Sequence, residues 1–295
     1  MPHVLKNDKL EVRIDLPGEN YSLPRFDQTG KIGSVKFNGV QVSGIERTDT
    51  QTTDKIGMGF YNEFGIETAV GFDETKMGDW FHKIGVGLLK KEEREYFFHK
   101  DHPIKPAQFS WDSSKSKSLK MRCVGGLVNG FAYELQKEIK LLKDGFLISN
   151  KLKNTGSKQI QTDEYNHNFL AVDNELMGAD YVLKFPFELK PRGFGEIVNS
   201  EQKVVIGRQD LTFSSTPNEQ FFFSNLTGDK SVEATWELFN LNRKIGIRET
   251  GNFKTNKINL WGWSHVISPE LFYSISILPG QTALWSRQYE IWHDE

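Results

Sequence analysis

The chain has 295 residues, with 37 basic and 39 acidic side chains and a formal net charge of −2. This near balance gives no reason to expect nucleic acid or an anionic membrane surface as a partner. No apolar run approaches the ~18 residues that a membrane span requires, and the first residues lack the apolar stretch of a signal peptide, so we expect a cytoplasmic protein. The one cysteine, Cys123, excludes an intrachain disulfide, and its apolar neighbours predict a small core residue.

Short strand-like segments separated by turn residues begin at the N-terminus. KLEVRIDL alternates over residues 10–16, and KIGSVKFNG follows a turn at Thr29-Gly30. The segment 90–98 could form a short helix or a strand edge. Helical periodicity is otherwise nearly absent, which favours an all-β chain.

A long hairpin is the clearest predicted element, in FAYELQKEIKLLKDGFLISNKLKNTG at residues 131–156. Apolar residues alternate along both halves. Asp144-Gly145 is predicted to form the two-residue turn between them, because that pair favours positive φ. A hairpin of this length indicates a large, mostly antiparallel sheet.

The second half of the chain continues with strand-length segments rich in Phe, Trp, Tyr, Ile and Val. They are YVLKFPFEL, KVVIG, DLTFSS, EQFFFSNL, SVEATWELFN, KIGIRET, KINLWGW, LFYSISIL and ALWSRQYEIW. No linker or repeat interrupts them, so we expect a single all-β domain over residues 1–295. The Gly-x-Gly segments GMGF and GFGE lack a full nucleotide-binding fingerprint. His99 and His102 alone are too few ligands for a metal site. We therefore expect neither a cofactor nor a metal.

A first candidate site lies in YNHNFLAVDN. Tyr165, His167 and Phe169 share one face of a strand. A strand histidine between aromatic residues is either a hydrogen-bonded core residue or a catalytic group. The amides of Asn166 and Asn168 could orient the imidazole or bind hydroxyl groups.

A second candidate is Glu270, which follows Pro269 and precedes an apolar strand at 271–278. Burial would raise its pKa toward the range in which a proton-transferring group works well. The alternative is a strand-end glutamate that points to solvent. Trp261 and Trp263 share a strand face shortly before it.

These two motifs resemble those of the galactose mutarotase-like superfamily, which contains the aldose 1-epimerases and their relatives. The family motif N-H-x-x-F corresponds to residues 166–170, with one residue missing before the phenylalanine. A late glutamate ahead of a strand that ends in P-G-x-x-x-x-W corresponds to Glu270, Pro279-Gly280 and Trp285. Two N-terminal segments, YSLPRFDQTGKIGSVKFNG and NEFGIETAVGFDETKMGDWFHKIGVGLL, resemble a less characterised branch of this superfamily. The resemblance implies a β-supersandwich with its site on a concave sheet face.

The chain departs from the best-known family pattern, which has an upstream Asn-Arg pair and a second active-site histidine. Arg25 in LPRFD and His82 in DWFHKIG are the candidates for these positions. The structural alternatives are that Arg25 pairs with Asp27 or Glu46, and that His82 packs beside Trp80.

The resemblance implies an aldose 1-epimerase-like activity on a small sugar. Glu270 would act as the general base on the C1 hydroxyl, and His167 as the general acid on the ring oxygen. We expect the two groups to converge across a groove that is wide enough for one pyranose. The candidate sugar contacts are Arg25, His82, Tyr165, Asn166, Trp261 and Trp263.

Two other functions remain open at this point. The first is a non-catalytic carbohydrate-binding protein on the same fold, and the second is a carbohydrate lyase or hydrolase domain. Glu63, Glu67 and Asp73 could bind sugar hydroxyls or could only solvate a loop. Oligomeric state is not predicted.

Overall fold

The computed structural model describes residues 2–294 and consists of β-strands, turns and two short 3₁₀ helices, Thr53–Lys55 and Pro191–Gly193. The strands are β1 (His3–Lys6), β2 (Leu10–Asp15), β3 (Lys31–Phe37), β4 (Val40–Gln41), β5 (Phe60–Phe64), β6 (Trp80–Lys83), β7 (Gly87–Lys90), β8 (Ile104–Pro106), β9 (Gln108–Asp112), β10 (Ser118–Val128), β11 (Phe131–Leu141), β12 (Gly145–Asn154), β13 (Ile160–Asn168), β14 (Tyr181–Lys184), β15 (Ile197–Val198), β16 (Val204–Ile206), β17 (Asp210–Phe213), β18 (Phe221–Phe223), β19 (Val232–Asn240), β20 (Ile245–Thr255), β21 (Ile258–Trp263), β22 (Val266–Leu271), β23 (Tyr273–Ile277) and β24 (Thr282–His293).

Two large sheets face each other, and two small ones flank them. The front sheet has seven strands in the order β1-β2-β3-β5-β13-β23, with β4 beside β3. The back sheet has ten strands in the order β16-β17-β14-β19-β20-β24-β12-β11-β10-β9. The small sheets are β15-β18-β21-β22 and β6-β7-β8. Every strand pairing within residues 2–294 is antiparallel, as the hairpin signals predicted.

The main core fills the space between the front and back sheets. Val12 and Val35 of the front sheet belong to the same buried cluster as Ile139 and Ile148 of the back sheet. Strands β2 and β19 contribute every second side chain to this cluster, because successive residues point to opposite faces. Burial of a Val, Leu or Ile side chain contributes about 1.5–3 kcal/mol, so this layer dominates the stability of the fold. Cys123 is buried, as predicted.

The long hairpin forms β11 and β12, but its turn differs from the prediction. The Leu142 N–H donates to the Gly145 carbonyl at 2.8 Å, so the turn centres on Lys143 and Asp144. Neither Asp144 nor Gly145 has a positive φ. Glycine is required at 145 for another reason: a Cβ there would lie 1.9 Å from the Tyr289 carbonyl oxygen of β24.

Residues 91–103 form a loop without regular secondary structure, so both the helix and the strand predicted over 90–98 are wrong beyond the end of β7. Aromatic packing holds the loop instead, since Tyr96 contacts Phe72 and Phe81. His102 of this loop is buried against Phe81, with its Nδ1 3.1 Å from the Lys90 carbonyl oxygen. No group of three potential metal ligands occurs within residues 2–294.

The same described range, 2–294, has no helix with the length and apolar character needed to cross a membrane.

Candidate active site

His167 and Glu270 meet on the outer face of the front sheet. His167 belongs to β13 and Glu270 to β22, and Leu170 and Ile267 exchange backbone hydrogen bonds that hold the two strands side by side. The His167 Nε2 lies 3.3 Å from the Glu270 Oε1. Glu270 lies within a strand rather than ahead of one. The structure therefore brings the mid-chain imidazole and the late carboxyl group into direct contact.

The imidazole of His167 is fixed from several sides. Its Nδ1 lies 2.8 Å from the Ser268 Oγ, and Ser268 shares a face of β22 with Glu270 because the two residues are two positions apart. The ring stacks on Phe169 at a centroid distance of 4.1 Å and meets the edge of Trp261 at 5.3 Å. These contacts direct the Nε2 atom toward the carboxyl group.

Burial shifts the pKa values of both groups in the direction that removes charge. His167 is 3% exposed and Glu270 is 4% exposed. Burial lowers the pKa of His167 well below its usual value, and the nearby Arg25 cation lowers it further. Burial raises the pKa of Glu270 to about 8, although Arg25 opposes the rise. Both shifts favour the uncharged forms, so the contact brings a carboxylic acid and a neutral imidazole together.

A charged cluster around Glu63 of β5 lies beside this pair. Glu63 accepts hydrogen bonds from the Arg25 Nε at 2.8 Å, the Tyr165 hydroxyl at 2.6 Å and the Lys83 Nζ at 3.1 Å. Burial alone would raise the pKa of Glu63, but Arg25 and Lys83 hold it below its usual value. Arg25 also pairs with Glu46 at 3.3 Å, which is one of the structural alternatives predicted for it. The predicted solvated-loop role is wrong for Glu63, which is fully buried.

Two further acidic residues of the same sequence segment differ from Glu63 in their burial. Glu67 and Asp73 are exposed, as expected for residues that solvate a loop. Asp27, the other predicted partner of Arg25, instead binds the Lys137 Nζ at 2.6 Å between the sheets.

His82 does not lie with the site residues. It is 1% exposed, its Nε2 lies 3.0 Å from the Phe131 carbonyl oxygen, and its ring packs edge-on against Tyr133 rather than beside Trp80. The next residue on β6, Lys83, reaches Glu63 instead. The prediction of His82 as a site residue is wrong because adjacent residues of a strand point to opposite faces. Lys83 faces the site, and His82 faces away from it.

Asn166 and Asn168 also point away from the imidazole. The Asn166 amide donates to the Tyr289 hydroxyl at 2.7 Å, and the Asn168 amide donates to the Glu249 carboxylate at 2.8 Å. Both contacts lie between the two large sheets. The amides therefore cannot orient His167, and this function falls to Ser268. Asn166 is likewise no sugar contact in this arrangement.

The tryptophans of β21 line the same face as Glu270. Trp261 contacts the imidazole directly, whereas Trp263 lies two residues farther along and donates its indole N–H to the Asn218 carbonyl at 2.8 Å. Of the predicted site residues, the structure therefore brings together His167, Glu270, Arg25, Tyr165 and Trp261.

A groove of about 910 Å³ opens beside the His167–Glu270 pair. Three of its lining residues touch the site: Phe98, whose ring lies 4.7 Å from the Arg25 guanidinium, Tyr96, which binds Lys83, and Asn259, which hydrogen-bonds Glu270. His167 and Glu270 themselves do not line it. The prediction of a groove between the two groups is wrong, because they contact each other and the space lies alongside them.

Comparison with known proteins identifies the architecture. No family profile and no curated protein matches the sequence. Among solved structures, Slr1438 from Synechocystis sp. PCC 6803 matches with a TM-score of 0.65 at 11% identity, covering 100% of this chain and 96% of that one. A galactose mutarotase-like protein from Lactobacillus casei ATCC 334 gives 0.58 at 12% identity, covering 99% and 100%. The chain has the galactose mutarotase-like fold.

A further match with this fold is the GalM/aldose epimerase homologue from C. elegans, with a TM-score of 0.54 at 11% identity over 100% of both chains. The galactose mutarotase-like fold confirms the predicted all-β supersandwich. At such identities the likeness concerns the backbone, so the function of each side chain has to be argued from its own geometry.

Proposed function

We propose that the protein is an aldose 1-epimerase-like enzyme that interconverts the α and β anomers of a sugar by opening its ring. The observation that carries this proposal is the 3.3 Å contact between His167 and Glu270. The C1 hydroxyl and the ring oxygen of an aldose are bonded to the same carbon. An acid and a base that lie side by side can therefore reach both oxygens, and they need not face each other across the sugar.

The directions of the two pKa shifts favour one direction of proton transfer. In the proposed mechanism, protonated Glu270 donates to the ring oxygen, and the neutral His167 Nε2 accepts the proton of the C1 hydroxyl. The bond from C1 to the ring oxygen breaks, and C1 becomes the aldehyde carbon. Rotation about C1–C2 and the reverse transfers close the ring on the other face. This assignment exchanges the acid and base roles that the family resemblance implied.

The transfers leave the net charge of the buried site unchanged. After ring opening the pair is an imidazolium beside a carboxylate, and the two charges attract each other at contact distance. A single unpaired charge at this depth would carry a large desolvation cost. In an ion pair, the attraction between the two charges partly compensates that cost. A buried pair that only moves one proton between its members is thus suited to this reaction.

Access to the pair requires a change at the groove wall. The Phe98 ring of the 91–103 loop covers Arg25, and we place the path of the sugar past this ring. Phe98→Ala is expected to raise kcat/KM for the best sugar by about threefold or more, because a smaller side chain removes the barrier to the pair. An unchanged or reduced kcat/KM would contradict this path.

The non-catalytic carbohydrate-binding protein remains the second candidate. The observation that favours it is the low exposure of His167 and Glu270, at 3% and 4%. Such a protein would bind sugars in the groove and would leave the rate of anomer exchange at its uncatalysed value.

One experiment separates the two candidates. Anomer exchange is followed by saturation-transfer NMR for a panel of neutral aldoses at pH 7, with the wild type, His167→Asn and Glu270→Gln. We expect each variant to lose about 10²-fold or more of the wild-type rate enhancement, the lower range for a positioned proton transfer. Glu233→Gln is the matched control, since that side chain is 66% exposed on β19. Retention of exchange by both site variants would refute the proposal.

A further inference from the structure

The groove beside the His167–Glu270 pair has more room than one sugar ring fills. Its volume of about 910 Å³ lies near the top of the ~300–1,000 Å³ that is typical of small-molecule sites. It extends from Asn259, which touches Glu270, past β18 and the 91–103 loop to Asp229. A ligand that reached the pair would leave most of this space empty if it were a monosaccharide.

The groove carries two kinds of surface that suit sugar rings. Aromatic side chains come from the 91–103 loop and from β18, namely Tyr96, Phe97, Phe98 and Phe222. Hydroxyl and amide side chains come from the neighbouring segments, namely Ser224, Asn225, Asn256 and Ser274. Apolar C–H faces of a pyranose stack on aromatic rings, while its hydroxyls require donors and acceptors.

One acceptor in the groove lacks a protein partner. The Oδ1 atom of Asp163 is buried and makes no hydrogen bond with any of the described residues. A buried carboxyl oxygen without a donor is costly, so a group that supplies one is favoured there. The atom is closed to solvent, so a sugar hydroxyl in the groove can donate to it once the Asp163 side chain turns toward the groove.

The charges of the groove select against anionic ligands. Its acidic side chains are Glu67, Asp163, Glu196 and Asp229, and its one lysine, Lys257, is paired with Glu67. No arginine lines it. Phosphate and carboxylate groups are bound by clustered Arg and Lys, which this groove lacks. The chemistry therefore fits an uncharged sugar chain better than a sugar phosphate.

From these features we infer that the groove binds a neutral oligosaccharide, whose end residue reaches the His167–Glu270 pair while the following residues lie along Phe97, Phe222 and Asp163. This inference rests on the proposed function, because that function brings the end residue to the pair. The substrate class is then the reducing end of an uncharged oligosaccharide.

The test compares the binding affinity of each monosaccharide with that of the trisaccharide built from it. Isothermal titration calorimetry is run with glucose, galactose and xylose, with maltotriose, cellotriose, β-1,4-galactotriose and xylotriose, and with glucose 6-phosphate. We expect at least one trisaccharide to bind about tenfold tighter than its monosaccharide, and Phe97→Ala to reduce that advantage by about three- to tenfold. Trp111→Ala, which removes a ring that is 49% exposed outside the groove, is expected to leave the advantage intact.

Several results would overturn the inference. These are equal affinity for every trisaccharide and its monosaccharide, tighter binding of glucose 6-phosphate than of all neutral sugars, and an advantage that persists in both Phe97→Ala and Phe222→Ala. NMR anomer exchange on the same sugars separates the two proposals. Absence of exchange together with a Phe97-dependent trisaccharide advantage would contradict the epimerase function and support the groove as an oligosaccharide site.

Discussion

The pKa shifts of His167 and Glu270 link stability to chemistry at the scale of single residues. Glu270 has a pKa of about 8 in the folded chain against 4.5 as its reference value. Folding therefore takes up a proton between these pH values, and stability is lost as the pH rises from about 4.5 to 8. The pKa of His167 is lowered, so its effect has the opposite sign, and stability is lost as the pH falls below its ordinary pKa of 6.5.

Replacement of Glu270 tests this linkage. Glu270→Gln keeps a neutral, hydrogen-bonding side chain at every pH, so we expect the variant to be more stable than the wild type at pH 8.5 by about 1–4 kcal/mol. At pH 4 the difference should vanish. Urea unfolding at the two pH values gives the comparison, and a difference that does not depend on pH would show that Glu270 is not protonated in the folded chain.

The pH dependence of catalysis distinguishes the two assignments of acid and base. If Glu270 is the acid, kcat/KM for anomer exchange should fall as the pH rises through about 8, because the carboxyl group then loses the proton that it donates. NMR exchange rates from pH 6 to 9.5 measure this. A rise through the same pH range would instead make Glu270 the base, as the family resemblance implied.

The strand pattern made part of the site predictable from the sequence. Period-two alternation placed Tyr165, His167 and Phe169 on one face, and the structure has them there. The same rule could have excluded Asn166 from that face and pointed to Ser268, two residues before Glu270. Alternation along one strand could not predict the site residues that come from other strands. Lys83 reaches Glu63 only because β6 lies beside the front sheet, and no local pattern encodes that contact.

At the scale of elements, the hairpin shows where local rules end. Alternation predicted β11 and β12, but Asp144-Gly145 has the sequence of a tight turn for a reason that lies elsewhere in the chain. The glycine is needed where β12 approaches β24, a contact between residues more than a hundred positions apart. The sequence of the hairpin alone contains no information on that approach.

Gly145→Ala measures the cost of this approach. A methyl group at 145 would lie 1.9 Å from the Tyr289 carbonyl oxygen, so the strands must separate, and we expect a loss of about 2 kcal/mol or more in the free energy of unfolding. Gly126→Ala on β10 is the matched control, because nothing lies within 4 Å of its added Cβ. Equal effects of the two substitutions would contradict the explanation.

At the scale of the whole molecule, a charged layer joins the front and back sheets. Arg287 of β24 is completely buried and pairs with Glu164 of β13 at 2.6 Å and with Glu249 of β20 at 2.7 Å. The sequence patterns gave no sign of this layer. Long-range pairs of this kind depend on which strands face each other, and that is decided only when the sheets assemble.

Arg287→Leu removes the cation and leaves two carboxylates in the interior. We expect a loss of about 3–5 kcal/mol in the free energy of unfolding at pH 7, because uncompensated buried charge is costly. The control is Arg208→Leu, whose side chain is 84% exposed. Chemical denaturation of both variants provides the measurement, and a small effect of Arg287→Leu would show that the carboxylates take up protons at little cost.

β13 has one face toward the His167–Glu270 pair and the other toward β24. Tyr289 holds the Asn166 and Asn168 amides at 2.7 and 2.8 Å, and those residues flank His167 in the chain. A change at Tyr289 would shift the backbone that carries the imidazole without touching the His167–Glu270 pair. If the pair is catalytic, mutational screens scored by turnover will consequently mark β24 as sensitive.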